Sequence, residues 1–433
     1  MIGYIFILFY LISYKFKDIF LYIVKKISKN ILVISPLYNP EVNRVNDLVE
    51  YLLKKGHKIT VMCPIPNYPQ GKYYDGYGIL KKRYENLKNL KIFRVLVFPR
   101  GGGSKINLFL NYLSFILFSI FPAIILSFKK FDLVFINQVS PITIAMPGII
   151  LKKIKRIPLI MWVTDLWPES VKDAGNLKSN FIPNLILPIV RYIYKNCDQI
   201  LVSSKAFISS VREKSPIKKD IVYMPQWGES TFTDSQNIRY HNNDFEKIEG
   251  FKILFAGNIG VAQDFNCIID AMNKIKNYPI HLVVLGDGRA KKESIEKVQQ
   301  LGLESNISFL GSFPLEYMPY FFNKSDALLI SLKKSIVFSK TIPAKTQSYM
   351  AFGKPILTNS DGEVSRIIDE SNSGLTSNSG NHLLLADNIL KLSKMSDKEI
   401  KTMVNNCKKY YKDNFDRKKI LNDLEKIIYD ITI

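Results

Sequence analysis

The sequence has 433 residues and a formal net charge of +22, from 60 Lys and Arg against 38 Asp and Glu. It is longer than one ordinary domain, and its 47% apolar content excludes an intrinsically disordered chain. The excess positive charge indicates an anionic partner, which can be nucleic acid, an anionic membrane surface or a phosphorylated ligand. Residues 1–225 carry 33 basic and 13 acidic side chains, so nearly all of the excess lies in the N-terminal half.

Cysteine and histidine give no sign of a disulfide framework or a zinc site. The four cysteines, Cys63, Cys197, Cys267 and Cys407, lie far apart without a CxxC pair, and the four histidines are equally scattered. We therefore expect a chain that resides in a reducing, cytoplasmic compartment.

Residues 1–28 form an apolar N-terminal extension. Residues 1–14 are strongly apolar but too short to span about 30 Å of hydrocarbon as a helix. No basic residue precedes them and no small-residue cleavage site follows, which disfavours a secretory signal. We interpret the extension as an anchor that dips into the membrane. A single span built from residues 1–24 and a wrongly assigned start codon are the alternatives.

The segment 106–128 has no charged side chain over 23 residues. Its length suits a transmembrane helix, but it contains two Asn, three Ser and Pro122 and lies between two predicted strands of one sheet. Lys and Arg flank it on both sides, so we favour a helix that lies in the interface of an anionic membrane. The alternative is a helix buried in the core of the domain.

Between residues 29 and 225, short β-branched runs alternate with longer helical segments. A helix is predicted over 45–55, because Val45, Leu48, Val49 and Leu52 fall on one face. Strands are predicted over 30–35, 58–62, 92–97, 133–137, 159–163 and 199–203. Runs that are apolar on both faces and joined by helices predict a parallel sheet covered on both sides. These residues are therefore expected to form one Rossmann-like domain.

The pattern restarts after a polar, turn-rich linker at 226–250. Strands predicted over 251–256, 281–285, 307–310, 327–331 and 355–358 alternate with helices, which indicates a second doubly wound domain over 251–400. Residues 401–433 are predicted to be helical and to pack back towards the first domain. The predicted fold class is α/β, with two Rossmann-like domains that face a central cleft and bind ligands at the carboxyl ends of their strands.

Two glycine-containing turns follow strands of the second domain. Gly257 and Gly260 come directly after the strand at 251–256, and residues 286–288 (Gly-Asp-Gly) follow the strand at 281–285. Glycine lets a backbone approach phosphate, and the next helix offers its N-terminus. A purely structural turn is the alternative, since neither a GxGxxG fingerprint nor a P-loop is present.

Residues 342–363 combine a basic helix start with an acidic turn. Lys345 and Ser348 lie in the first turns of a helix predicted over 344–352, and the Lys can hold a phosphate by charge. Asp361, Gly362 and Glu363 follow the next strand, where two acids suit the hydroxyls of a sugar. Solvated surface acids are the alternative.

In the first domain, polar and aromatic residues follow three predicted strands. They are Asn39, Glu41 and Arg44 in the first loop, Asn67 and Tyr68 in the second, and Asp165, Trp167 and Glu169 in the third. An aromatic face against a sugar ring, with carboxylates on its hydroxyls, is typical of carbohydrate sites. For the third loop, an aromatic core residue with a helix-capping Asp is the alternative.

In this order the motifs resemble family 4 glycosyltransferases of the GT-B fold, in the bacterial branch that assembles O-antigen, capsule and colanic acid. The likeness covers residue 29 to the C-terminus. The matching segments are P-E-x-x-R-x-N-D at 40–47, P-N-Y-P-x-G at 66–71, D-L-W-P-E-S at 165–170, G-N-I-G-x-A-Q at 257–263, L-G-D-G at 285–288 and P-x-K-x-Q-S-Y-M-A-x-G-K-P-I at 343–356.

The resemblance implies a retaining transfer of a sugar from a nucleotide-diphosphate donor to a hydroxyl, without cofactor or metal. We expect a UDP-sugar, with an N-acetylated hexosamine as the sugar, and an acceptor saccharide linked to polyprenyl pyrophosphate. The acceptor site is expected in 29–225 and the donor site in 251–400. The enzyme would work at an anionic membrane surface, on the cytoplasmic face of the bacterial inner membrane.

The resemblance also implies roles for the residues singled out above. The expected catalytic residues are Asp165, Glu169 and Lys345. The expected donor-binding residues are Gly257, Asn258, Gly260, Gln263, Gly286, Asp287, Gly288, Lys345, Ser348, Asp361, Gly362 and Glu363. The expected acceptor-binding residues are Asn39, Glu41, Arg44, Asn67, Tyr68 and Trp167.

The sequence departs from the family pattern at the donor site. Many members have two Glu eight residues apart, but the matching positions here are Lys340 and Ser348. The usual Arg/Lys pair after the first strand of the donor domain is also missing. We therefore assign phosphate binding to Lys345 with the backbone N–H groups of 258–260, and hydroxyl recognition to Asp361 and Glu363.

Two other functions fit parts of the sequence. A nucleotide-sugar epimerase shares the architecture, but it needs no lipid acceptor and hence no membrane helix. A nucleic-acid-binding protein would use the basic N-terminal half, but the basic residues are not interleaved with aromatic residues in a recognisable module.

Overall fold

A computed structural model describes residues 28–174, 179–215, 220–233 and 240–432. The chain divides into two compact units. The first contains the described residues up to Val202, Ile208–Met224 and the described residues from Leu421 onward; the second contains Ser203–Phe207 and Pro225–Ile420. The predicted N-terminal anchor lies outside the described residues, apart from Ser28.

The first unit is built on a sheet with the strand order β3-β4-β2-β1-β5-β6-β7-β8 in the described part of the chain. The strands are β1 (Asn30–Ile34), β2 (Lys58–Pro64), β3 (Tyr84–Leu87), β4 (Leu90–Val95), β5 (Leu133–Gln138), β6 (Leu159–Val163), β7 (Gln199–Val202) and β8 (Ile221–Tyr223). All neighbours are parallel except β3 and β4. The central strands are buried along their length, as continuous apolar runs predict.

Two strands of this sheet were not predicted. The first, β3, is a largely exposed edge strand whose sequence YENL is not an apolar run. It forms a hairpin with β4 through Asn89, which adopts a left-handed φ of 64°. The second, β8, has only three residues, and none of them is fully buried. The strand predicted at 92–97 begins two residues earlier, at Leu90.

The helices of the first unit cover both faces of the parallel strands. They are α1 (Arg44–Lys54), α2 (Lys105–Ser127), α3 (Met146–Lys155), α4 (Glu169–Ala174), α5 (Phe181–Asn196) and α6 (Phe207–Lys214), with a short 3₁₀ helix at Ile142–Ala145. Helix α1 begins where the Asn43 side chain accepts a hydrogen bond from the Val45 N–H, and it buries Val45, Leu48 and Leu52.

Helix α2 occupies the uncharged segment and is long and apolar enough to cross a membrane, with a mean hydropathy of 2.1. Only 28% of its apolar window is buried, which disfavours the alternative of a buried core helix. The buried face includes Asn111, Ser114 and Ser119, whereas the exposed face consists of Phe, Leu and Ile. This distribution reverses the usual amphipathic pattern of a soluble domain.

The second unit is built on a parallel sheet with the order β11-β10-β9-β12-β13-β14 in its described residues. The strands are β9 (Phe251–Ala256), β10 (Ile280–Leu285), β11 (Ile307–Gly311), β12 (Ala327–Ser331), β13 (Ile356–Asn359) and β14 (Gly374–Ser377). The last strand was not predicted, because its sequence GLTS is polar and its residues are mostly half-buried.

Helices cover both faces of the second sheet and form two hydrophobic cores. They are α7 (Ser230–Thr233), α8 (Asn243–Glu246), α9 (Phe265–Lys274), α10 (Lys291–Gln300), α11 (Met318–Asn323), α12 (Ile336–Lys340), α13 (Ala344–Phe352), α14 (Glu363–Ser371), α15 (His382–Ser393) and α16 (Asp397–Asn414), with 3₁₀ turns at Val261–Gln263 and Leu315–Tyr317. The expected linker is partly structured, since Phe245 of α8 is fully buried in one of these cores.

The C-terminal helices belong to different units. Helix α16 packs against α13 in the second unit, so a domain boundary at residue 400 would fall inside this helix. The last helix, α17 (Arg417–Ile431), passes into the first unit at Leu421. The predicted packing of residues 401–433 towards the first domain therefore applies only from Leu421 onward.

Within the first unit, Glu425 of helix α17 binds residues at the end of α1, and it is only 8% exposed. Its carboxylate lies 2.9 Å from the Lys55 Nζ and accepts a hydrogen bond of 3.0 Å from the Tyr51 hydroxyl. The Tyr51 hydroxyl also lies 2.5 Å from the Asn422 Oδ1. Because a charged acceptor with little access to water depends on such donors, Glu425 should contribute more stability than a surface carboxylate.

We expect Glu425→Gln to lower the free energy of unfolding by about 2 kcal/mol, because it removes the ion pair and weakens the tyrosine hydrogen bond. Urea titration should show a lower midpoint. The control is Glu50→Gln, which breaks an exposed ion pair with Lys54 and should cost less than about 0.5 kcal/mol. Equal midpoints for the two variants would contradict the assignment of this stabilising role to Glu425.

Candidate active site

In the second unit, helix α13 is fixed against the end of β9. The Tyr349 hydroxyl accepts a hydrogen bond of 3.1 Å from the Ala256 N–H and is fully surrounded by core residues. The helix begins after Pro343 and ends at Gly353, which has a left-handed φ of 82°. This packing places the first turn of α13 beside the turn that follows β9.

Lys345 points its amine into that turn. The Nζ lies 3.7 Å from the centroid of the Phe255 ring, and a Cβ added to Gly257 would lie only 3.2 Å from it. Although the residue as a whole is partly exposed, the Nζ itself is buried and makes no hydrogen bond within the described parts of the chain. Desolvation lowers the pKa of Lys345 to about 7.

The predicted glycine turns pack backbone against backbone. A Cβ at Gly286 would lie 1.8 Å from the Gly257 carbonyl oxygen, and one at Gly288 would lie 2.2 Å from the Ile259 carbonyl oxygen. Gly257 and Gly286 also have positive φ values, 137° and 141°. The contact between the two turns therefore requires glycine whether or not a phosphate binds there.

The backbone donors expected to cradle phosphate are mostly used within the protein. The Ile259 N–H donates to the Asp287 carbonyl at 2.8 Å, and the Gly260 N–H donates to the Gln263 Oε1 at 3.1 Å. Of the three N–H groups at 258–260, only that of Asn258 has no partner among the described residues. Gln263 thus closes the turn, and the Lys345 amine lies beside it.

The acidic turn after β13 is also tied to the protein. Both carboxylate oxygens of Glu363 bind the guanidinium of Arg366, at 3.0 and 3.2 Å. The Asp361 Oδ1 accepts a hydrogen bond of 3.2 Å from the Ser379 N–H. Gly362 is required because a Cβ there would lie 2.0 Å from the Ser339 carbonyl oxygen. Any substrate hydroxyl would compete with these partners.

Two further predicted donor-binding residues, Asp287 and Ser348, make hydrogen bonds within the protein. Asp287 is exposed, and its Oδ1 accepts a hydrogen bond of 2.9 Å from the Gly288 N–H. Ser348 is buried and donates a hydrogen bond of 2.5 Å to the Oε2 of Glu229. Glu229 was not identified from the sequence, because it stands alone in the turn-rich stretch that was interpreted as a linker.

In the first unit, Glu41 and Asn67 support a loop. Glu41 is 2% exposed, and its Oε1 accepts hydrogen bonds from the N–H groups of Asn67 and Tyr68, at 2.8 and 2.7 Å. Burial raises the pKa of Glu41 although these backbone bonds oppose the shift. The Asn67 Oδ1 accepts from the Arg100 N–H at 3.2 Å. The Tyr68 side chain is 43% exposed, and the Arg100 guanidinium lies 5.1 Å from its ring centroid.

The first loop of this unit is nearby. Asn39 is exposed, and its Oδ1 accepts a hydrogen bond of 2.8 Å from the Asn46 side chain. Arg44, the first residue of α1, is partly exposed. The Arg94 guanidinium donates to the Asn39 carbonyl at 3.1 Å and so joins this loop to β4.

The pKa values of Asp165 and Glu169 are shifted in opposite directions. Burial raises the pKa of Asp165 to about 6, although hydrogen bonds from Ser170, Ser140 and Trp167 oppose the shift. Burial also raises the pKa of Glu169, but hydrogen bonds from Lys214 and Ser210 outweigh it and lower the pKa overall. Of the two acids, only Asp165 titrates near neutral pH, so it is the stronger candidate for proton transfer.

Trp167 is largely buried and is part of the same hydrogen-bonded group. It is 8% exposed, and its indole N–H donates to the Ser140 Oγ at 3.2 Å. Little of the ring is therefore open for stacking on a sugar. No group of three or more His, Cys, Asp or Glu side chains in the described residues is placed to hold a metal ion.

We expect Lys345→Met to raise the thermal midpoint, because a buried amine that is charged in water destabilises the folded state. The pKa of Lys345 is lower in the folded state than in the unfolded chain, so this penalty is largest below pH 7 and disappears as pH rises towards about 10.4. The gain in midpoint should therefore be larger at pH 6 than at pH 9.

The control for this measurement is Lys292→Met, at a side chain that is 90% exposed, and it should leave the midpoint nearly unchanged. A Lys345→Met variant that melts at or below the wild-type temperature at pH 6 would show that the amine is not a destabilising buried group.

Comparisons with known families match both halves of the chain. Residues 42–226 match the family described as "Glycosyltransferase Family 4", and residues 239–411 match "Glycosyl transferases group 1". The chain is 24% identical to the putative colanic acid biosynthesis glycosyl transferase WcaI of Escherichia coli over 75% of this chain and 81% of that protein. It is 26% identical to the probable glycosyltransferase WbjE of Pseudomonas aeruginosa over 64% of this chain and 70% of that protein.

Solved structures share the fold. A sucrose-phosphate synthase from Thermosynechococcus elongatus superposes with a TM-score of 0.72 at 16% identity, covering 93% of this chain and 99% of that one. Anabaena Alr3699/HepE in complex with UDP-glucose gives a TM-score of 0.67 at 13% identity, covering 93% and 100%. The predicted GT-B fold and enzyme class are thereby confirmed, and the chain belongs to the family 4 glycosyltransferases, related to enzymes of polysaccharide biosynthesis.

Proposed function

We propose that this glycosyltransferase moves a sugar from a UDP-sugar to a lipid-linked saccharide at a membrane surface, with retention of configuration, during the synthesis of a surface polysaccharide. The observation that carries the donor assignment is the buried Lys345 amine without a hydrogen-bond partner in the described residues. A diphosphate is the kind of anion that such an amine would bind. HepE, which has the same fold, is recorded in complex with UDP-glucose, which supports UDP as the nucleotide.

The charge of Lys345 suits the chemistry of transfer. When the bond between the sugar and the diphosphate breaks, negative charge develops on the leaving phosphate. A cation in a site with little water stabilises that charge more strongly than a solvated one. In the proposed reaction the leaving phosphate draws the proton from the acceptor hydroxyl, and Asp165 of the first unit binds or polarises acceptor hydroxyls.

The membrane assignment is supported by the exposed face of α2. Phe109, Phe121 and Phe128 are 63%, 70% and 86% exposed. The polar face is used inside the unit, where the Asn111 side chain donates to the Phe98 carbonyl at 2.6 Å. Apolar surface of this extent is rare on a soluble monomer and is typical of a helix that lies in a bilayer interface.

A second helix of the same unit extends this surface. On α5, Phe181 and Leu185 are 74% and 66% exposed. Helix α3 contacts both α2 and α5, and two of its lysines reach them: the Lys155 Nζ donates to the Ser127 carbonyl and the Lys153 Nζ to the Tyr192 hydroxyl, each at 2.9 Å. Lysines that lie between two exposed apolar helices are suited to bind the negatively charged headgroups of an anionic membrane.

The same exposed apolar surface supports the choice of a lipid-linked acceptor. A glycosyltransferase that acts on a soluble sugar gains nothing from exposed apolar helices, whereas a polyprenyl-pyrophosphate-linked acceptor is held at the membrane. A nucleotide-sugar epimerase is disfavoured on the same ground. Binding to DNA stronger than binding to anionic vesicles would favour a nucleic-acid partner instead.

The proposed reaction is tested by incubating the full chain with a membrane lipid extract and a panel of nucleotide sugars, and by measuring the nucleotide released. We expect UDP release that depends on the extract. Lys345→Ala should reduce release by at least about tenfold, because it removes the cation beside the leaving phosphate. The control Lys292→Ala, at an exposed position of the same unit, should behave as the wild type.

Release of another nucleotide would contradict the choice of UDP. Equal release with and without the lipid extract would contradict the lipid-linked acceptor, and a Lys345→Ala variant with the wild-type rate would contradict the phosphate assignment.

For the membrane surface, we expect Phe109→Ser/Phe121→Ser to weaken flotation with anionic vesicles severalfold, because it removes two exposed apolar side chains from the proposed contact. The matched control is Val261→Ser/Ile336→Ser in the second unit, where the side chains are 68% and 72% exposed. Equal flotation of the two double variants at several salt concentrations would count against α2 as the membrane contact.

A further inference from the structure

Ser348 of α13 is bonded to a carboxylate that another segment of the second unit supplies. The Ser348 Oγ lies 2.5 Å from the Oε2 of Glu229 and 3.0 Å from the Ala344 carbonyl, so its hydroxyl bridges the helix and the acid. Ser348 is 6% exposed, whereas Glu229 is only partly buried. Glu229 therefore brings a carboxylate next to the side chain at position 348.

The segment that carries Glu229 is built to approach α13 closely. A Cβ at the preceding residue, Gly228, would lie 2.8 Å from the Ala351 Cβ and 3.0 Å from the Gln347 carbonyl oxygen. Only glycine fits at that distance without a shift of the helix. Trp227, before it, is fully buried. The close contact of Gly228 and the burial of Trp227 hold this segment in place, and the next residue, Glu229, reaches Ser348.

Glu229 is bonded to a residue that lies one turn of α13 after Lys345, the proposed phosphate-binding residue. Lys345 and Ser348 are three residues apart on α13, so they share one face and their Cβ atoms are about 5–6 Å apart. In a nucleotide sugar, the diphosphate is flanked by the ribose on one side and the transferred sugar on the other. Both rings carry neighbouring hydroxyls, and a carboxylate can accept a hydrogen bond from each of two such hydroxyls.

We propose that Glu229, oriented by Ser348, binds the neighbouring hydroxyls of a sugar ring in the donor, next to the phosphate held by Lys345. This inference rests on the proposed UDP-sugar donor. It assigns hydroxyl recognition to a residue outside the acidic turn, where Glu363 is already paired with Arg366 through both oxygens. Ser348 acts as a positioning residue, and Glu229 contacts the donor.

The test is calorimetric binding of UDP, 2′-deoxy-UDP, UDP-glucose and UDP-N-acetylglucosamine to the full chain. We expect Glu229→Gln to weaken binding by roughly tenfold or more, as loss of a charged hydrogen-bond acceptor does. Ser348→Glu should also weaken binding, because two carboxylates then compete for one place. The double variant Glu229→Gln/Ser348→Glu should recover most of the affinity, since it returns one carboxylate to the site.

The ligands distinguish the two rings. A loss for UDP that is much smaller for 2′-deoxy-UDP places Glu229 at the ribose, and a loss confined to a UDP-sugar places it at the transferred sugar. The matched control is Glu246→Gln, whose Oε1 accepts a hydrogen bond of 2.6 Å from the Tyr320 hydroxyl in the same unit, and it should bind as the wild type.

Ser348→Ala provides a second variant that keeps the carboxylate and removes only its orienting hydroxyl, and we expect a severalfold loss of affinity. Wild-type binding of all four ligands by both Glu229→Gln and Ser348→Ala would overturn the inference while leaving the UDP-sugar donor intact. Failure of the wild type itself to bind any of the four would overturn the proposed donor and, with it, this role of Glu229.

Discussion

The second unit contains one unfavourable interaction on which the proposed donor site depends, the burial of the Lys345 amine against the Phe255 ring without a hydrogen-bond partner in the described residues. The ring face offsets only part of the cost of removing a cation from water. The surrounding structure holds the amine there, because Tyr349 fixes the same helix to the end of β9. A buried amine that lowers the stability of the fold and points into a glycine turn is best explained as a binding site for an anion.

Much of the fold could be predicted from the sequence, because buried parallel strands are continuous apolar runs and their helices have clear apolar faces. The missed strands β3, β8 and β14 are short, polar or exposed, so their pairing is decided by tertiary contacts that leave no periodic signal. The transfer of α17 to the first unit is equally invisible, because it depends on Glu425 meeting Tyr51 and Lys55, more than 360 residues away in sequence.

The structure brings the predicted glycine turns and Lys345 together, but their hydrogen bonds could not be predicted from the sequence. The glycines and Lys345 were found because their residue types have a specific chemistry at the end of a strand. The sequence could not show that the N–H groups of Ile259 and Gly260 donate hydrogen bonds within the protein, or that Glu363 is paired with Arg366. Glu229 could not be identified from the sequence, because its proposed role depends on the close approach of its segment to α13, which leaves no sequence pattern.

Nearly all of the excess positive charge lies in the N-terminal half of the sequence, which fits different roles for the two halves in the proposed function. In the proposed account, the basic first unit works at an anionic surface, and the nearly neutral second unit uses one buried cation for the donor. The most direct measurement of that cation is proton uptake on UDP binding, obtained by calorimetry at pH 8 in buffers with different ionisation enthalpies. In the protein without UDP, the pKa of Lys345 is about 7, so we expect the wild type to take up nearly one proton when UDP binds. Lys345→Arg should take up none, because the arginine side chain is always charged. Binding of UDP to the wild type without proton uptake would contradict the central claim.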